Sequence, residues 1–172
     1  MYLTSRLRIN DLIKRKADYE KQRRQLDNQI NDLKTYATAI ADGGISIAEL
    51  MKMPSSMYNR TLTFMNASMQ YCQNSSMFQM SQLASQPYYQ NQMTQQTPDV
   101  QQSYRNMMQM SFYNQAKGQF AKYEESLLHE KEKALQQERD DLNSNLELCK
   151  AELDNVRQES KEGLQDIFGG KA

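Results

Sequence analysis

The feature that most constrains this chain is a pair of apolar repeats, one towards each end. Their steps alternate between three and four residues. The first runs Ile9, Leu12, Lys16, Tyr19, Arg23, Leu26, Ile30, Leu33, Ala37 and Ile40, and eight of its ten positions are apolar or aromatic. Residues three and four apart share one face of an α-helix. A run of this length therefore lays a stripe along a helix and requires a second helix to cover it. Lys16 and Arg23 interrupt the stripe at equivalent heptad positions. Their long stems can lie along such a seam with the cationic heads in water or against carboxylates of a partner helix. The second repeat runs Leu135, Arg139, Leu142, Leu146, Cys149, Leu153, Val156, Ser160, Gly163 and Ile167, with seven apolar positions. Upstream of it, Phe120, Tyr123 and Leu127 fall on a different phase, which predicts a stutter between 127 and 135.

Helix breakers set the expected bounds. Thr4 or Ser5 can cap a first helix, and Gly43-Gly44 can stop it, giving a helix over 4–42. Ser46-Ile-Ala-Glu49 has the capping-box pattern and predicts a short helix over 46–53, closed by Pro54. A helix over 56–85 follows, with Tyr58, Leu62, Met65, Met69, Cys72, Ser76, Met80 and Leu83 on its apolar side. Residues 86–97 are polar and read as a loop. Thr97-Pro98-Asp99 combines a cap, a first-turn proline and an early acid, and opens a long helix over 98–167. The expected class is all-α: an elongated helical hairpin or bundle with coiled-coil arms, forming one domain of 172 residues.

Composition supports that class. Leu, Ile, Val and Phe together make 30 residues, or 17% of the chain, while Met contributes 12 and Tyr 10. The absence of Trp and the scarcity of β-branched apolar residues disfavour a sheet. The 21 basic and 21 acidic side chains cancel overall, yet they separate along the chain. Residues 1–42 carry a net +3, residues 43–117 a net +2, and residues 118–172 a net −5. A basic arm and an acidic arm thus flank a middle zone that holds 11 of the Met residues and is rich in Gln. The simplest arrangement sets the two arms antiparallel, within one chain or between copies. A second core is expected between helix 56–85 and the long helix. Met65, Met69 and Met80 would there meet Tyr104, Met107, Met108, Phe112, Phe120 and Tyr123.

Catalytic and metal-binding patterns are sparse. His129 is the only histidine, and its charged surroundings read as a helix surface. Carboxylate pairs such as Glu124-Glu125 and Asp140-Asp141 read as a solvated face. Asp42, Gly43, Ile45 and Glu49 match the second half of an EF-hand loop. Thr38 and Ile40 occupy the first two ligand positions and cannot supply carboxylates, so a glycine stop and a capped helix are the preferred reading. Cys72 and Cys149 read as reduced, packed thiols. Phosphate-loop, dinucleotide and nucleophile-elbow motifs are missing. The expectation is a non-enzyme without cofactor or metal.

The basic cluster Lys14-Arg15-Lys16, Lys21, Arg23 and Arg24 is interleaved with Asp11, Asp18, Glu20 and Asp27. This dilutes any field for nucleic acid or anionic lipid. No leader-like apolar run follows the start, and no apolar segment is long enough to span a bilayer. The location expected is cytoplasmic, or exported without a Sec-type signal. Two coiled-coil arms around a variable middle resemble, in architecture and without a shared motif, the helical-hairpin filament subunits of bacterial type III secretion systems. That resemblance implies self-assembly.

The function expected is helix-mediated association with a copy or a helical protein partner. Its seam comprises Ile9, Leu12, Tyr19, Leu26, Ile30, Leu33, Leu135, Leu142, Leu146, Leu153 and Val156. Met65, Met69, Met80, Met107 and Met108 form the expected partner surface. The alternative is an adaptor or chaperone-like module that binds apolar segments through adaptable methionines. A binder of nucleic acid or membrane surface ranks below both.

Overall fold

The computed structural model describes the backbone of residues 2–41 and 43–168, and side chains over 4–41 and 43–164. Asp42 and the side chain of Ile167 lie outside the described residues. Among the described residues five helices follow in order: α1 (Tyr2–Ile40), α2 (Ile47–Lys52), α3 (Ser55–Ala84), α4 (Pro87–Thr94) and α5 (Pro98–Phe168). There is no strand among the described residues. The protein is all-α, and its long first and last helices pack against each other. The chain gathers into two compact units, residues 1–31 with 132–172 and residues 32–131.

In the first unit the two seams close on one another. Leu12, Cys149, Leu153 and Val156 form a buried cluster, with Ile9 and Tyr19 packed against it. Leu26, Leu142 and Leu146 are buried as well. The cross-helix contacts run in opposite order along the two helices, so the pair is antiparallel within one chain. Arg8 meets Glu152 at 2.6 Å, the Cys149 thiol donates to the Leu12 carbonyl at 3.4 Å, and Asp27 faces Arg139 at 3.9 Å.

Charge separation plays a smaller part than the arms' net charges imply. Arg8–Glu152 follows the expected polarity, whereas Asp27–Arg139 reverses it. Lys16 pairs with Glu20 and Arg15 with Asp11, both on their own helix. Exposed pairs of this kind contribute about 0–1 kcal/mol. Full burial of a single Leu contributes about 1.5–3 kcal/mol. The apolar seam therefore holds this unit, and the charges decorate it.

The second unit begins with the last turns of α1. Asp32 accepts from Ser56, and Tyr36 meets Arg60 and Phe64, so this part of α1 runs parallel to α3. Arg60 reaches Glu124 and Phe64 stacks near Phe120, so α3 runs antiparallel to α5. α1 stops at Gly43, whose φ of 74° lies in the left-handed region and whose N–H donates to the Ile40 carbonyl at 2.7 Å. A Cβ on Gly43 would stand 2.9 Å from Lys117 Cγ and 3.0 Å from the Lys117 carbonyl oxygen. On Gly44 it would meet only the flexible end of the same side chain. Gly43→Ala is therefore expected to lower unfolding free energy by about 2 kcal/mol, with Gly44→Ala well below that. Urea unfolding of both variants checks it, and equal losses would refute the left-handed stop.

Ser46 and Glu49 form the expected capping box at the start of α2. The Ser46 N–H donates to Glu49 at 2.7 Å and the Glu49 N–H donates to the Ser46 hydroxyl at 3.2 Å. The Ser46 donors hold the Glu49 carboxyl below its usual range.

Three expectations for the helices are corrected. α1 runs from Tyr2, so Thr4 and Ser5 lie inside it rather than capping it. Residues 86–97 are not a loop throughout, because α4 occupies 87–94. Pro87 presets φ at the first helical position, where its missing N–H costs nothing, and Gln86 is extended before it. Tyr89 and Met93, four residues apart, turn one face of this polar helix inward, and both are buried. The stutter before 135 does not occur on the residues assigned to it. Tyr123 is 61% exposed and Leu127 is also exposed. Ala121, Glu124, Leu128, Glu132 and Leu135 carry the inward face through this stretch at three- and four-residue steps.

Candidate functional site: a buried polar cluster and an apolar face in water

α3 turns most of its expected apolar side inward, Cys72 and Ser76 buried and Leu62, Met65, Met80 and Leu83 half-buried, but the centre of its packed face lies to one side of that stripe. Its buried residues are Thr61, Phe64, Ser68, Cys72 and Ser76. Tyr58 and Met69 of the expected stripe are exposed. Buried hydroxyls are acceptable here because the helix satisfies them itself. Thr61 donates to the Met57 carbonyl at 2.9 Å and Ser76 to the Gln73 carbonyl at 3.0 Å. On α5 the fully buried residues of the same unit include Ala116 and Ala121. Small side chains let helix axes approach closely, and the bulky methionines are left at the margin.

The expected partner residues divide accordingly. Met65, Met80 and Met108 are half-buried, whereas Met69 and Met107 are exposed. The proposed second core is right for Tyr104, Phe112 and Phe120, which are half-buried, and wrong for Tyr123, Met69 and Met107. Phe120 is clamped between Phe64 at 5.5 Å and Tyr71 at 5.4 Å, centroid to centroid. Met77 and Phe78 on α3, and Met110 on α5, add exposed apolar surface that periodicity did not single out. Each is more than 60% exposed.

Sequence reasoning also missed a polar cluster joining three helices. Glu124, read as part of a solvated face, is largely buried, with its side chain 14% exposed. Its Oε1 accepts from the Tyr36 hydroxyl at 3.0 Å and from Arg60 Nε at 2.9 Å. Arg60 Nη2 lies 2.8 Å from the same oxygen. The guanidinium also sits 5.6 Å from the Tyr36 ring centroid. Tyr36 is fully buried and meets Phe64 edge-on at 6.2 Å. Burial first, and then the adjacent Glu124 charge, push the Tyr36 hydroxyl well above its usual range. The Glu124 contact holds the Arg60 guanidinium charged against the opposing effect of burial. This arrangement neutralises a buried carboxylate with one cation and one neutral donor. All of its members are engaged with one another, so the chemistry on offer is positional, fixing the register of α1, α3 and α5.

The remaining candidates are placed as follows. His129 is exposed on α5. Cys72 and Cys149 are free and buried. Thr38 and Ile40 lie within α1, and Glu49 is engaged in its cap. No group of three His, Cys, Asp or Glu among the described residues could hold a metal ion. No described helix is long and apolar enough to cross a membrane. No family model, curated protein or solved structure matches the chain.

Proposed function

We propose that this chain is a non-enzymatic helical scaffold that works by associating with protein. Its binding surface is built from the exposed Met and aromatic residues of 32–131 rather than from the heptad seams. One observation supports the shift. The apolar seam positions are consumed within the chain, while Met77, Phe78, Met107 and Met110 stand in water. Exposed thioethers and aromatic rings adapt to varied apolar partners.

Sedimentation velocity at two concentrations, with Met77→Ser/Phe78→Ser and Met107→Ser/Met110→Ser as variants, tests this. The parent is expected to show a concentration-dependent species that the variants lose, with helical circular dichroism retained. If the parent is monomeric throughout, a photo-crosslinker at position 78 is expected to capture a protein partner from cell extract. Absence of both results refutes the proposal.

A further inference from the structure

The sulfur that this chain offers to solvent is methionine sulfur. Cys72 and Cys149 are buried, at 0% and 6% exposure, so the thiols that a peroxide ordinarily reaches first are shielded. Met77 and Met110 are each 63% exposed, and Met107 is 59% exposed. Met107 and Met110, three residues apart on α5, share a helix face. Within residues 32–131, α3 runs antiparallel to α5. Tyr71 lies against Phe120, and Met80 shares a groove with Arg105, so Met77 comes to the height of Met110. Three thioethers thus stand in water at one level of this unit. Met93, in the same unit, is only 7% exposed and supplies the contrast.

We propose that Met77, Met107 and Met110 are oxidation sites, and that their conversion to sulfoxide switches association off. This rests on the association surface proposed above and supplies its regulation. The oxidant is a hydroperoxide. The thioether sulfur attacks the terminal peroxide oxygen, and the S–O bond forms as the O–O bond breaks. The leaving oxygen carries away the proton of the transferred one, as water or an alcohol. Sulfur gives up two electrons and the peroxide accepts them. Each sulfoxide puts a strong acceptor on a surface that a partner must strip of water, and a buried acceptor without a donor opposes binding. The modified side chains lie in water, so the helices keep their packing. Oxidation acts on the unassociated chain, where these sulfurs are open.

Dilute hydrogen peroxide on the full chain, followed by peptide mass spectrometry, tests the order of attack. Met77, Met107 and Met110 are expected to convert about tenfold faster than Met93, with both cysteines still titrating as thiols after unfolding. The oxidised chain is expected to keep its helical circular dichroism. It is expected to associate at least about tenfold more weakly, in whichever readout the parent gives, self-association or capture at position 78. Methionine sulfoxide reductases for both epimers are expected to restore association. In Met77→Leu/Met107→Leu/Met110→Leu, peroxide is expected to change the remaining association by under about twofold. The reductase step decides alone if the leucines by themselves prevent association. Conversion no faster than at Met93, association unchanged by full conversion, a loss that the reductases do not reverse, or a leucine variant as peroxide-sensitive as the parent overturns the inference and leaves the association surface standing. A parent that gives neither readout refutes that surface, and this inference with it.

Discussion

Glu124→Ala is expected to lower the unfolding free energy by about 3 kcal/mol, because it strands Arg60 and the Tyr36 hydroxyl in a largely buried cluster. Losing one member of a buried ion pair costs more than the pair itself contributes. Glu124→Gln keeps an acceptor for Tyr36 and is expected to cost less. In a double-mutant cycle with Arg60→Met, the second substitution should add far less than the first. Urea unfolding measures all of these, and a Glu124→Ala loss under about 1 kcal/mol would refute the cluster's role.

The same cluster sets an alkaline limit. The Tyr36 hydroxyl is raised in the folded chain, so the fold retains its proton after the unfolded chain has released one. The stability carried by neutral Tyr36 is complete below the ordinary phenol value of about 10 and declines as pH rises above it. Tyr36→Phe should flatten that part of the decline.

The second large effect belongs to the seam. Leu153 is 3% exposed and packs with Leu12, Cys149 and Val156. Leu153→Asp is expected to cost about 4 kcal/mol or more, by removing apolar contact and placing a carboxylate where no donor waits. Leu148, five residues earlier on the same helix, is 69% exposed. Leu148→Asp is expected to change stability by under about 0.5 kcal/mol. Thermal melts followed by circular dichroism distinguish the two, and similar losses would show that the seam is not what holds α1 to α5. Ile30 and Leu33 are likewise buried. Charged substitutions there would disturb folding, and so cannot serve as tests of association.

Much of this architecture was legible in the sequence. Among the seam positions whose side chains are described, all but Gly163 are buried or half-buried. The reason is that a long three-four repeat leaves a helix one way to hide its apolar stripe. Gly43, Ser46 and Pro98 were readable because each does something at a helix end that other residues do poorly.

What escaped was burial without apolarity. Thr61 and Ser68 enter the α3 interface because small side chains fit it, beside Ser76, which the repeat does place there, and the Thr61 and Ser76 hydroxyls bond to their own backbone. Hydropathy gives no warning of this. The polar cluster was hidden for another reason. Tyr36, Arg60 and Glu124 are far apart in sequence, and each taken singly reads as surface. α4 was missed because a polar composition outweighed a first-turn proline and the paired Tyr89 and Met93.

The small-residue interface of α3 separates the positions that determine where the backbone lies from those that determine what the surface offers. Enlarging Ser68, Cys72, Ala116 or Ala121 would force axes apart, so these positions are held by geometry. Met69, Met77, Met107 and Met110 bear no such constraint, and their exchange leaves the axes where they are. Descendants of this sequence can therefore change their binding preferences quickly while their scaffold stays superimposable.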